Sequence, residues 1–220
     1  MWCIGALTED YRQRMYDVLE LYARPYRASE PVICIDEKSK QLIRDSRAPL
    51  PMKLGMPAAK YDYEYVRSGT CNVFVAVEPK GGRRVLKVTE RRTMPEFVAF
   101  VRQLLEHTYG SARKVHLVLD NLNTHFRSCF EDVLGRRAAG SLLRRVQFHY
   151  TPKHASWLNM AEIEIGILDR QCLGRRFMDR ATARREVNAW QRRRNAERRG
   201  IDWTFTRQDA DRKLARHYVS

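Results

Sequence analysis

Two apolar runs of the chain close on an aspartate: "VICI" at 32 to 35 leads into Asp36, and "HLVL" at 116 to 119 leads into Asp120. Aspartate forms strands poorly and is costly to bury, so a buried run that ends on one needs a reason. Taken singly, each marks a turn or caps the next element as readily as it does chemistry. Taken together they say more. In open α/β sheets the carboxyl ends of the strands form the rim where ligands bind, so two such strands lying side by side would bring both acids to one crevice. Carboxylates a few ångströms apart repel unless a positive charge sits between them, and a divalent cation fills that place. Hard oxygen donors suit Mg²⁺ or Mn²⁺, and the sequence has no histidine or cysteine cluster that would argue for zinc.

A third carboxylate comes from "HYTPKHASWLNMAEIEIGILDRQCLGRR", residues 149 to 176, where an irregular stretch gives way to a helix carrying Glu162 and Glu164. In a helix started by Asn159, Glu162, Gly166 and Asp169 share one stripe, while Glu164 lies about 200° around the axis from Glu162. Both glutamates cannot face one site. The stripe of Glu164 includes Met160, Ile167 and Leu168, so Glu162 is the expected ligand. Asn159 with Glu162 three residues later is also a capping-box pattern, and the sequence leaves that second role open.

These acids need a scaffold, and the rest of the chain reads as one. Residues 8 to 24 place Tyr11, Met15, Val18, Leu19 and Tyr22 at helical spacing, which predicts an amphipathic packing arm. "PVICID" (31 to 36), "CNVFVAVE" (71 to 78) and "RRVLKVTE" (83 to 90) read as a three-strand meander with a turn at "PKGG". Residues 93 to 110 carry helix signals at both ends: a Thr93 and Glu96 capping box, Pro95 in the first turn and Gly110 at the stop. A strand at 113 to 120, a helix near 125 to 137 and a strand at 144 to 150 follow. The order predicts an α/β fold, a mixed central sheet flanked by helices, with right-handed crossovers.

Bulk properties narrow the function. The 220 residues are 44% hydrophobic, enough for one sizeable core. The 41 basic residues against 26 acidic give a formal charge of +15, which favours a polyanionic partner, either nucleic acid or an anionic membrane. The longest apolar runs, such as "VFVAV" (73 to 77), fall far short of the roughly 20 residues of a spanning helix. The opening residues do not form a secretory signal, so no membrane is expected as a partner. Cys3, Cys34, Cys71, Cys129 and Cys172 are scattered, with no C-x-x-C pair, and are expected as reduced, mostly buried thiols of a cytosolic protein.

"CIDEK", "LVLDNLNTH" and "HYTPKHASWLNMAEIE" together resemble the three catalytic blocks of a D-D-E transposase from the bacterial insertion-sequence branch of the Tc/mariner superfamily. The likeness spans roughly residues 30 to 210. Three blocks in this order, with residues 121 to 161 between the second and third acids, make a specific signal. The resemblance implies a ribonuclease H-like fold and places the catalytic and metal-binding triad on Asp36, Asp120 and Glu162, the last within "LNMAE", the family's L-N-x-x-E pattern. It also implies two Mg²⁺ ions, with Mn²⁺ as a substitute, in a site that activates water for DNA cleavage and then uses a freed 3′-hydroxyl for strand transfer. The implied partners are double-stranded DNA, both element ends and target, and a second copy in a homodimer. The implied location is the bacterial cytoplasm, on the nucleoid.

Other residues are expected on the DNA. Asn121 and His125 lie beside the second acid, though Asn123 or Thr124 capping the next helix explains that stretch equally well. Lys153 and His154 precede the third acid, where a solvated loop explains them nearly as well. Arginine is dense from 175 to 199, and acids look too sparse to balance it, so Arg192 and Arg193 are expected on phosphates. Trp157, Trp190 and Trp203 are expected to pack rather than to stack on bases.

The chain thus divides into a helical arm at 1–29, a catalytic core at 30–174 and a basic helical region at 175–220. Only 35 residues precede Asp36, too few for the helix-turn-helix region such transposases carry, so end recognition is expected from a separate segment. Two other readings fit the same residues. A ribonuclease H-like nuclease or resolvase would use the three acids for hydrolysis alone, and an inactive DNA-binding remnant would keep the charge without needing metal. The intact acid set favours the transposase.

Overall fold

In the computed structural model, residues 7–48, 63–120, 126–214 and 217 are described. The centre is a five-stranded mixed sheet. The long strand β1 (Val32–Asp45) pairs antiparallel with β2 (Tyr65–Glu78), and β2 pairs antiparallel with β3 (Arg83–Thr89). On the other side of β1 lie β4 (Val115–Leu119) and β5 (Val146–Tyr150), both parallel to it, for a spatial order of β3-β2-β1-β4-β5. The expected meander and parallel additions are both present.

One face of the sheet is covered by α2 (Met94–Gln103), α3 (Arg127–Leu134) and α4 (Arg136–Leu143). Because side chains alternate along a strand, Ile33, Ile35, Phe74 and Ala76 all point to this face, where they meet Phe97, Phe100 and Phe130. Glu96 accepts from both the backbone N–H and the hydroxyl of Thr93, so the predicted start of α2 holds. The predicted single helix to Gly110 instead finishes in a π-helical turn at Leu104–Thr108. The helix expected near 125 to 137 is two, broken at Gly135 with φ of 78°.

The opposite face carries α1 (Glu9–Ala23), α5 (Ala161–Leu168), α6 (Arg180–Ala196) and α7 (Arg207–Leu214). Met15, Val18, Leu19 and Tyr22 of α1 are buried in a cluster with Cys34, Val77 and Val118; Tyr11, also expected there, is only partly buried. Ala183, Val187 and Trp190 of α6 are buried with Val73, Val75, Leu86 and Val88 of the sheet, so this arginine-rich helix is also a layer of the core. Cys34, Cys71, Cys129 and Cys172 are buried free thiols, and Cys3 lies outside the described residues. Trp190 is buried and Trp203 partly so, whereas Trp157 keeps 39% of its surface exposed, stacked on Trp203. Among the described residues no helix is long and apolar enough to cross a membrane.

Candidate active site

The first acid is not at a strand end. β1 continues nine residues beyond Asp36 to Asp45, paired throughout with β2 apart from a bulge between Gln41 and Ile43. What ends there is its other neighbour: β4 stops at Leu119, one residue before Asp120. Cys34 and Val118 are partners in the parallel register, so Asp36 and Asp120, each two residues further on, stand side by side where the ladder opens. The rim predicted from two strand ends is therefore made by one strand end and the free edge of a continuing strand.

The third element docks onto that edge. Asp36, Lys38 and Lys40 alternate onto one face of β1. Lys38 pairs with Asp169 at 2.8 Å, and Lys40 donates to the carbonyl of Leu173. Asp169 lies on the stripe that includes Glu162, so this stripe follows β1 and brings Glu162 towards Asp36. The electrostatics agree. Asp36 is 7% exposed, and its carboxyl is pushed up to about 7, first by burial and further by the negative charges of Glu162, Asp120 and Glu37. A hydrogen bond from the backbone N–H of Glu37 at 2.8 Å opposes the rise. Glu162 itself is exposed, and Asp120 partly so.

Asn159 does not act as the sequence suggests. The helix begins at Ala161, after a 3₁₀ turn at Ser156–Leu158, and the backbone N–H of Asn159 donates to Ser156 at 2.7 Å. That donor is the one a capping box would offer to Glu162, so the box is not formed and Glu162 is left facing outward. The fully buried Asn159 side chain accepts from the N–H of Ala161 at 3.1 Å and donates to the carbonyl of Ile35 at 2.9 Å. It hooks the start of α5 to the residue beside Asp36. Sequence reading took Asn159 only as a helix start; its place between buried Leu158 and Met160 was the available clue.

Glu164, the other acid of the stretch, is fully buried. One oxygen accepts from Arg84 Nη2 and the other from Arg194 Nε, both at 3.0 Å. Arg84 is equally buried.

Of the residues expected on DNA, Asn121 and His125 lie outside the described residues, as do Asn123 and Thr124. Lys153 and His154 are exposed on the turn after β5, with His154 at φ of 63°. Arg192 and Arg193 are exposed on α6 and form no ion pair among the described residues. The wider arginine run is better balanced than expected: Arg175 pairs with Glu186, Arg176 with Asp45, Arg180 with Glu90, and Arg194 with Glu164 and Glu197. Folding brings in acids from distant segments that the local sequence does not show.

Among the described residues no three His, Cys, Asp or Glu side chains stand close enough together to hold a metal ion. The carboxylates of Asp36, Asp120 and Glu162 share one region of negative charge without converging on a common point. An oxygen-only donor set that concentrates negative charge nonetheless matches what a hard divalent cation requires.

The family model for DDE superfamily endonucleases matches residues 31–184, which contain all three acids. The chain belongs to this family. No curated protein matches the sequence. The fold is ribonuclease H-like and similar to solved Mos1 mariner structures. The Mos1 catalytic domain aligns with a TM-score of 0.55 at 12% identity, covering 98% of each chain. The Mos1 strand transfer complex gives 0.58 at 13% identity, covering 99% of this chain and 64% of that one. The Mos1 paired end complex with Mn gives 0.56 at 16%, covering 90% and 60%. The chain thus spans less than two thirds of the length of the transposase chains in those two complexes. The family match runs to residue 184, into α6, which packs on the sheet.

Proposed function

We propose that this chain is the catalytic domain of a DNA transposase of the bacterial insertion-sequence branch of Tc/mariner, with Asp36, Asp120 and Glu162 as its catalytic, metal-binding residues. The observation that carries the reading is the in-register placement of Asp36 and Asp120 at the opening between β1 and β4, with the charges of Glu162 and Asp120 both acting on Asp36. Family membership and the likeness to Mos1 complexes, one of them solved with Mn, support it. The three carboxylates would hold Mg²⁺, or Mn²⁺ in its place, as a pair of ions. When bound, such ions supply Lewis-acid activation of a nucleophile and charge stabilisation at a phosphodiester.

The chain's own residues contribute position and charge. Asp36 is held rigidly by a strand hydrogen-bonded to β2, and Asp120 by the end of β4. Glu162 is exposed, so a change of rotamer from its fixed place on α5 would close the set. Arg192, Arg193, Lys153 and His154, all exposed, would meet phosphates, with Asn121 and His125 assigned beside the second acid from sequence. Two copies would act on paired element ends, with a separate helix-turn-helix segment reading their sequence, in the nucleoid of a bacterial cell. The likeness to a Mos1 paired end complex supports action on two element ends.

The experiment is cleavage and joining of labelled DNA ends by the purified chain with Mg²⁺ or Mn²⁺. Asp120→Asn and Glu162→Gln should each reduce both products by at least about a thousandfold, with the fold retained by circular dichroism. Undiminished activity in either variant would refute the assignment. Hydrolysis without joining would turn the reading towards a nuclease, and metal-independent DNA binding without either product towards an inactive remnant.

A further inference from the structure

We infer that Glu164 is a positioning residue for Glu162, and that the ion triad of buried Arg84 and Glu164 with partly buried Arg194 fixes the rotation of α5 that presents Glu162 to the site. The inference rests on the proposed role of Glu162 and deepens it. Helix α5, "AEIEIGIL", is apolar around most of its circumference and has little amphipathic character. Burial alone therefore gives it a weak preference for one rotation over another. A slip of one residue would turn it by about 100° and carry Glu162 away from Asp36.

Directional bonds supply the missing preference. Glu164 lies about 200° from Glu162, so anchoring one inward sets the other outward. Both carboxylate oxygens of Glu164 are engaged, by Arg84 from the edge strand β3 and by Arg194 from α6. The anchor is itself braced. Arg84 Nη1 donates to the carbonyl of Gly82 at 2.8 Å, and the Asn195 side chain of α6 bonds both the N–H and the carbonyl of Arg84 at 2.8 Å. Gln191 accepts from the N–H of Leu86 at 2.6 Å, so α6 is fastened along the outer edge of β3. The hook from Asn159 to Ile35 holds the start of α5, and the triad holds its first turn from the other side.

Stability does not explain why charges are kept there. The desolvation cost of a fully buried ion pair commonly matches or exceeds its Coulombic gain, and apolar replacements of similar volume are often neutral or stabilising. Fixing the helix position from which a catalytic ligand reaches its site is the use that remains.

The test is Mn²⁺ binding by titration calorimetry, without DNA, beside kcat and KM for DNA cleavage and thermal melting. The variants are Glu162→Gln, Glu164→Gln and the double variant Arg84→Met with Glu164→Met. The double variant removes the buried pair together, so it keeps the test open where Glu164→Gln alone leaves buried Arg84 without its carboxylate. Expected are loss of Mn²⁺ binding in Glu162→Gln, at least fivefold weaker binding and at least tenfold lower kcat in both Glu164 variants, and a KM for DNA within twofold of wild type.

A double variant with wild-type melting and wild-type Mn²⁺ affinity overturns the positioning role while leaving Glu162 as ligand. Affinity losses that simply track thermal stability across the variants overturn it too, as does failure of both Glu164 variants to fold, since either marks the triad as structural alone. Equal Mn²⁺ binding by wild type and Glu162→Gln, or none by wild type, overturns the proposed catalytic reading and this inference with it.

Discussion

The side-chain amide of Asn159 donates to the carbonyl of Ile35 across 2.9 Å of fully buried interior, joining the start of the Glu162 helix to the strand residue that precedes Asp36. Two acids 126 positions apart, Asp36 and Glu162, are thereby tied through one amide group. Asn159→Ala would orphan both the Ile35 carbonyl and the Ala161 N–H, at a cost of about 1–3 kcal/mol for each group left buried and unsatisfied. Asn159→Asp should be worse near neutral pH, because a buried carboxylate would face that carbonyl. Chemical denaturation of the two variants, with the order wild type, Ala, Asp, checks this; an Asp variant as stable as wild type would contradict the hook.

A second link ties the arm to the core through histidines. Asp17 of α1 meets His149 Nδ1 at 2.6 Å, and His149 Nε2 meets His116 Nδ1 at 2.9 Å, both rings buried. Burial, the neighbouring His149 and the charges of Lys114 and Arg24 push His116 down to about 4, outweighing the opposite pull of Glu30. Its ordinary value is about 6.5. Between those values the unfolded chain takes up a proton that the folded chain refuses. The stability from neutral His116 is therefore complete above about pH 6.5 and lost as pH falls towards 4, on the order of 3 kcal/mol in all. Asp36, whose folded carboxyl is raised to about 7, gains stability over the same interval, so the check is a difference: from pH 7 to pH 5 the melting temperature of wild type should fall relative to that of His116→Gln. Parallel curves would assign the loss to other groups.

The β2–β3 turn is fixed by a close approach. Gly82 has φ of +67°, and a Cβ there would lie 2.6 Å from the carbonyl oxygen of Arg198, which belongs to the segment after α6. Gly82→Ala combines backbone strain with a backbone clash and should cost about 2–4 kcal/mol, or roughly 4–16 °C of melting temperature for a domain of this size. Gly135, with φ of +78° and ψ of 152° but open space around it, carries backbone strain without a contact, so Gly135→Ala should cost about 1–3 kcal/mol. Equal losses at the two positions would remove the contact from the explanation.

Arg192 and Arg193 are two of the arginines of α6 that folding leaves exposed, next to Arg194, which it turns inward to Glu164. If each meets one phosphate, replacing both with alanine should reduce the slope of log binding constant against log salt by about 2, uniformly across DNA sequences. Arg194→Ala should act mainly through stability, because it leaves part of a buried carboxylate unpaired. Fluorescence anisotropy over a range of salt concentrations, with melting curves alongside, separates the two outcomes.

Much of this was legible from local pattern. Alternating and β-branched runs gave the strands, a Thr93 and Glu96 box gave the start of α2, and helical spacing gave the buried face of α1, because each of these signals acts over a few residues. Helix arithmetic alone separated Glu162 from Glu164. What local pattern could not supply was anything decided by partners distant in the chain. Nothing in "VICID" says that the strand runs on to Asp45, since that extension exists only because β2 pairs with it. Nothing near Glu164 announces Arg84, 80 residues earlier, and an arginine-rich stretch looks unbalanced until Asp45 and Glu90 fold against it. The sequence by itself determined which residues are acids, which faces are apolar and in what order the elements come. Only the tertiary structure decided which acids share a crevice and which are consumed in the interior, because Coulomb and hydrogen-bond interactions depend on distance in space and not on separation along the chain.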